Sequence, residues 1–215
     1  MKPPSKSDYR RLIQPVIQGV PAAILKAEGF AGGSLSFVRS IGAVKQEVEF
    51  GLFVRPAHAR DSAQLVLNTH VSPESVLAIY KEMLPADPEP LDSCRISAPL
   101  ESIACERVGM WLFKDDASAA ALEANVLRAI SNSVLPYLRE TASVDGLFAI
   151  CRDGVQKAAS FLGYSAGNRA TLGAALAVSI GRTQEALDLV RLAYFGNPNL
   201  RAQYGSVFSY LESPV

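Results

Sequence analysis

The run VKQEVEFGLFV at residues 44–54 limits the possible folds more than any other stretch. Val44, Val48, Phe50, Leu52 and Val54 fall on one face, and Lys45, Glu47, Glu49 and Arg55 on the other. Side chains alternate across a strand, so a period of two marks a half-buried antiparallel strand with one face on a core and one in water. Such a strand needs partners. Leu35 and Phe37 supply the preceding one, with Gly42 in the turn, and SAQLVLNTHV supplies the next. Alternation returns in CRISAPLESI, where Cys94, Ile96, Ala98 and Leu100 share a face, and in ERVGMWLF, where Arg107, Gly109, Trp111 and Phe113 do. The expected fold is therefore α+β, with an antiparallel sheet of four or five strands and flanking helices, followed by a C-terminal helical bundle.

The helices announce themselves by a different period. Leu12, Ile13, Val16, Ile17, Val20, Ile24 and Leu25 recur at helical spacing, and Gly29 stands where a left-handed cap is needed. Pro15 and Pro21 conflict with one continuous helix, because an interior proline removes a backbone hydrogen bond; the first part then reads as a separate turn or a kinked segment. Ser72-Pro73-Glu74 predicts an N-cap and first turn opening a helix through ESVLAIYKEML, which PADPEP ends. From Asp116 onward Leu122, Val126, Ile130 and Val134 at steps of four predict a long helix that Pro136 bends or ends. The change of period sets a soft boundary between a sheet region, residues 1–115, and a helical region, residues 116–215, which together form one compact domain or two.

Composition narrows the function classes. Lys plus Arg (21) equals Asp plus Glu (21), so no global field steers the chain to nucleic acid or an anionic membrane. The start MKPPSKSDYRR lacks the apolar run of a signal peptide, and no stretch has the ~18 consecutive apolar residues of a membrane span, so a cytoplasmic location is expected. Cys94, Cys105 and Cys151 have no C-x-x-C spacing and only two histidines beside them, which predicts buried, unreactive thiols and no metal site. No cofactor motif is present: a Gly-rich phosphate loop with an adjacent lysine is missing.

LGYSAG at residues 162–167 fits the G-x-S-x-G pattern of a serine hydrolase elbow, which needs a strand before the serine and a histidine after it. Val155, Ala158, Ala159 and Leu162 follow helical spacing, and both His58 and His70 precede Ser165. Ser165 is therefore expected in a connection between helices. Downstream, Gly181, Ala186, Ala193 and Pro198 have a spacing that resembles a tetratricopeptide repeat at residues 168–198, in which small residues let two antiparallel helices approach. That resemblance implies a helical hairpin with Leu172, Leu176 and Ile180 facing Leu187, Val190 and Tyr194. It departs from the family where Ala170, Gly173 and Ala177 replace bulky residues of the first helix.

KAEGFAGGSLSFVRS, a helix ending at Gly29-Phe30 before a strand with Phe37 and Arg39, resembles the start of an uncharacterised family of small bacterial α+β domains, and VLPYLRETAS is similar to its closing helix. The resemblance covers residues 8–145. It implies a fold type and a bacterial origin, with no catalytic residue to carry over.

Candidate site residues are few. His70 lies near a strand end close to Ser72 and Glu74, where a neutral histidine bonded at a helix start is the plain reading. His58 lies in RPAHARD with Arg60 and Asp61, in a hairpin loop. Glu47, Glu49, Arg39 and Arg55 are placed for cross-strand charge pairs on the exposed sheet face, and the single tryptophan, Trp111, is placed in the core. The expected function is non-catalytic binding of another protein, a bacterial toxin-neutralising (immunity) protein being one concrete form. The alternative is a small-ligand-binding protein or enzyme with its site at His58, Arg60 and His70. A third expectation is self-association through the face carrying Glu47 and Glu49 or through the helical hairpin.

Overall fold

The computed structural model describes residues 4–104, 108–156, 166–194 and 198–213. In chain order the elements are α1 (Lys6–Gln18), α2 (Val20–Ala27), β1 (Ala31–Gly33), β2 (Ser36–Ile41), β3 (Val44–Val54), β4 (Ala63–Pro73), α3 (Leu77–Met83), α4 (Pro90–Ser93), β5 (Ile96–Pro99), α5 (Leu100–Ile103), β6 (Trp111–Phe113), α6 (Asp116–Ala120), α7 (Glu123–Ala129), α8 (Leu135–Glu140), α9 (Val144–Gln156), α10 (Ala166–Ser179), α11 (Thr183–Tyr194), α12 (Pro198–Gln203) and α13 (Gly205–Glu212). The protein is α+β: a six-stranded antiparallel sheet in the order β1-β2-β3-β4-β5, with β6 also paired to β4, then a helical C-terminal region. The chain divides into two compact units built from non-contiguous segments. The first comprises Met1–Arg39, Gln46–His70 and Ala98–Arg139, the second Ser40–Lys45, Val71–Ser97 and Glu140–Val215.

The alternation of β3 is realised residue by residue, with Val44, Gln46, Val48, Phe50 and Leu52 buried and their neighbours more open. β4 follows the same pattern from Ala63 to Pro73. The sixth strand is β1, a three-residue piece paired with β2 through Gly33 and Ser36, too glycine-rich to carry an apolar alternation. In the later alternating runs Leu100 opens the short helix α5, and among the described residues of the last run the strand is Trp111–Phe113, Arg107 lying outside the described residues.

The expected first helix is two helices, with Pro15 accommodated inside α1 and the break placed after it. Gly19 breaks the path with ψ −128°, its N–H still bonded to Pro15 O at 3.0 Å, and Pro21 falls in the first turn of α2, where its missing donor costs nothing. Ser5 caps α1 in a reciprocal box with Asp8. Tyr9, Ile13 and Ile17 then form its fully buried face, Tyr9 meeting Phe113 edge to face at 5.9 Å. Gly29 has φ +86°, the left-handed cap its position required.

Pro136 leaves a clear trace. Between α7 and α8, residues Ile130–Val134 form a π turn, closed by Leu135 N–H on Ile130 O. An α-helical path would drive the Pro136 ring against the carbonyl four residues back. The wider turn avoids that clash while Val126, Ile130 and Val134 stay fully buried.

The second unit corrects the start expected at Ser72. β4 continues through Ser72 to Pro73, a 3-10 turn spans Glu74–Val76, and α3 begins only at Leu77. Glu74 N–H is held by Ala43 O at 3.1 Å, a sheet-type bond that outcompetes the cap. Helices α9, α10 and α11 pack closely, and α3 lies against α10 and α13. The hairpin of α10 and α11 turns at Gly181 (φ +76°). A Cβ on Gly173 would stand 2.6 Å from Leu189 Cδ2 and 3.2 Å from Cys151 Cβ, so the missing side chain lets three helices meet. Leu189, rather than Leu187, is the residue at that approach, and Leu187 is half-buried. The start of α10 is clamped by aromatics: Tyr194 Oη donates to Gly167 O at 3.0 Å, and the Tyr194 and Tyr204 rings stack at 5.1 Å.

Candidate functional site

His58 and Arg60 are exposed in the loop joining β3 to β4. That loop closes by Arg55 N–H on Ser62 O at 2.9 Å. His70 is elsewhere, inside β4, and its Nε2 lies 3.1 Å from Glu49 Oε2 on β3. It sits in the strand rather than at a helix start because β4 runs past it to Pro73. The seven steps along β4 from Ala63 to His70 correspond to roughly 23 Å of extended strand. The structure therefore brings His58 and Arg60 into one loop and sets His70 apart from them.

The charge pattern of the sheet contains one correction. Glu49 does pair across strands, with His70, and Glu47 accepts from Ser36 Oγ at 2.8 Å. Arg39 is not on the exposed face: it is 8% exposed, its Nε donating to Gln46 Oε1 at 2.8 Å and its Nη1 to Glu28 O at 2.7 Å. Gln46 Nε2 continues the chain to Leu138 O at 2.6 Å. The guanidinium also covers the Phe30 ring at 4.4 Å, and Glu28 receives Arg139 at 2.6 Å. Burial pulls the Arg39 guanidinium below its ordinary value, while the Glu28 carboxylate opposes that shift. These bonds join α2, β2, β3 and α8. Each is satisfied within the protein, the arrangement of a structural network.

Cys94 and Cys151 are free and buried, and burial pushes both thiols up to about 12, away from the reactive thiolate. Cys105 and Ser165 lie outside the described residues. Among the described residues no group of three or more His, Cys, Asp or Glu side chains is placed to hold a metal ion, and no helix is long and apolar enough to cross a membrane.

A concave site of another composition is present in the first unit. A cavity of about 300 Å³ opens where α5, β6, α7 and the π turn meet. Its apolar wall is Leu100, Ala104, Val108, Met110, Trp111 and Ala129. Its polar wall is Asn125, Arg128, Asn132 and Ser133. Helical spacing explains the division: Val126 and Ile130 turn to the core with no exposure, while Asn125, Arg128 and Asn132 at steps of three and four share the opposite, exposed side. Asn125, Arg128 and Asn132 make no side-chain hydrogen bond or ion pair with another described residue. Trp111 is 6% exposed, so it belongs to the core as expected and also forms part of the cavity. Ligand sites combine an apolar lining with a few converging polar groups, and π turns recur at functional positions.

Sequence reasoning missed this site because its described walls come from residues 100–104, 108–111 and 125–133, separate in the chain. The available signal was the polar stripe of Asn125, Arg128 and Asn132 beside the apolar one. Comparison of the chain with protein-family profiles, curated proteins and solved structures found no match.

Proposed function

We propose that this protein is a non-catalytic binding protein whose ligand is a small molecule held in the cavity beside Trp111. The observation that carries this reading is the cavity's make-up: a volume of about 300 Å³ with an aromatic and aliphatic wall facing amides, a hydroxyl and a guanidinium. Amides and guanidinium orient and hold a ligand, and the volume lies at the lower end of the ~300 to 1,000 Å³ typical of ligand pockets.

Trp111 is the chain's single tryptophan, so its emission reports on the cavity alone. Small compounds of varied charge, titrated one by one, are expected to include at least one that changes this emission saturably in the wild type and not in Ala129→Leu, whose side chain enters the cavity. A panel without a saturable change, or with changes indifferent to Ala129→Leu, overturns the reading.

A second reading, in which the ligand is a side chain of a partner protein such as a neutralised toxin, has one observation in its favour. Met110 is 63% exposed beside the cavity, and flexible methionine is a common feature of adaptable protein-binding surfaces.

A further inference from the structure

We infer that the cavity selects a compact hydrophobic carboxylate, with the carboxylate on Arg128 and the apolar body against Trp111 and Leu100. This rests on the small-molecule reading of the same site and adds the chemical class of its ligand.

Charge comes first. Arg128 is the one charged side chain among the cavity's described lining residues, and it has no hydrogen-bond or ion-pair partner among the described residues. A guanidinium presents a planar fork that matches two carboxylate oxygens, and such charge-assisted pairs are about twice as strong as neutral hydrogen bonds. One guanidinium balances one negative charge, which favours a monoanion over a phosphate dianion.

The neighbours fit the same head group. Asn125 lies one turn before Arg128 and Asn132 one turn after it on the exposed side of the helix, and both line the cavity. Their amide N–H groups add donors on either side of the guanidinium without adding charge. Leu100, Trp111 and Ala129 are apolar, so a ligand polar at both ends would strand one of them.

Volume sets the size. A cavity of ~150 Å³ lined by apolar side chains accommodates benzene. The cavity of about 300 Å³ here leaves room for one six-membered ring, a short linker and a head group. 3-Cyclohexylpropionate has those parts and does not absorb with tryptophan, and 3-cyclohexylpropionamide is its uncharged counterpart.

The test titrates both compounds into the full-length wild type and into Arg128→Gln, reading Trp111 emission and confirming binding by calorimetry. The carboxylate is expected to bind the wild type at least about tenfold more tightly than the amide, and Arg128→Gln is expected to remove that difference. Arg128 is exposed and its replacement keeps helix propensity, and a ligand-free thermal unfolding transition like that of the wild type shows that the variant is folded. Equal affinity of the two compounds, or a carboxylate preference that survives Arg128→Gln, overturns the assignment while cavity binding stands. If neither compound nor any other fragment perturbs Trp111, both readings fall.

Discussion

Arg39 Nε and Gln46 Oε1 are 2.8 Å apart inside the first unit, where Arg39 keeps 8% of its exposure and Gln46 none. A buried guanidinium is tolerable because acceptors surround it: the Gln46 amide, Glu28 O and, at 3.7 Å, the Glu28 carboxylate. Removing an acceptor leaves the charge in place without its partner. Gln46→Leu is therefore expected to lower stability by about 2 to 4 kcal/mol, and Arg39→Met, which strands the Gln46 amide, to lower it as well. The double variant Arg39→Met, Gln46→Leu removes both polar partners and is expected to lose less than the sum of the two single losses, with a coupling of about 1 to 3 kcal/mol. Urea unfolding of the four proteins measures the cycle, and additive losses would show that the two residues do not act together.

Gly146 and Gly205 make a matched pair of opposite sign. A Cβ at Gly146 would collide with Glu140 O, a backbone atom that moves only if the turn between α8 and α9 opens. Gly146→Ala is expected to cost about 1 to 3 kcal/mol by overpacking. Gly205, the first residue of α13, has open space at the same position and no left-handed φ. Gly205→Ala is expected to gain about 0.4 to 1 kcal/mol, because alanine has fewer unfolded conformations to lose. Thermal unfolding should move the two midpoints in opposite directions.

The sheet was legible in the sequence because alternation there is enforced by burial: Val48 and Phe50 reach the core and Glu47 and Glu49 face outward, so one period serves both faces. The same reading passed over Gln46, a polar residue on the apolar face between Val44 and Val48. Its position was itself a signal, since a polar side chain at a core register needs a buried partner. That partner, Arg39, is seven residues away on the neighbouring strand, and Leu138 O is ninety-two away. Neither separation leaves a local pattern. Element ends were less legible than element types. At Ser72 a cap signal lost to a strand bond with Ala43, and at Pro136 a single proline was absorbed by widening a turn rather than by ending the helix. Both outcomes depend on what packs nearby.

Cys151 gives the protein an alkaline weakness. Its thiol is buried and desolvation raises it to about 12, a shift the Arg169 charge only partly offsets. A thiol is neutral when protonated, so folding favours the protonated form. Below the unfolded value near ~9 both states hold the proton and this contribution is fully present. Above it the unfolded chain releases the proton while the folded protein keeps it, so stability falls with pH, at most by about 1.4 kcal/mol per pH unit, until the folded value is reached. The difference between wild type and Cys151→Ala measures this slope. Urea unfolding between pH 9 and 11 should be more steeply pH-dependent in the wild type, and parallel profiles would exclude the thiol as the cause.

Ala129 is placed to separate the cavity's effect on stability from its effect on binding. It lies at the end of α7, half-buried, with its methyl group on the cavity wall. Leucine at this position extends three further carbons into space that the fold leaves open, and leucine is nearly as good a helix former as alanine. Each buried methylene contributes about 0.8 kcal/mol, so even partial burial predicts a gain of about 1 kcal/mol for Ala129→Leu without ligand. The same side chain occupies volume that a ligand needs. The variant is therefore expected to unfold at a higher temperature than the wild type when empty, and to show no further rise with 3-cyclohexylpropionate, whereas the wild type rises with concentration of the compound. A destabilised Ala129→Leu would mean that the cavity closes around alanine too tightly to admit either leucine or a ligand.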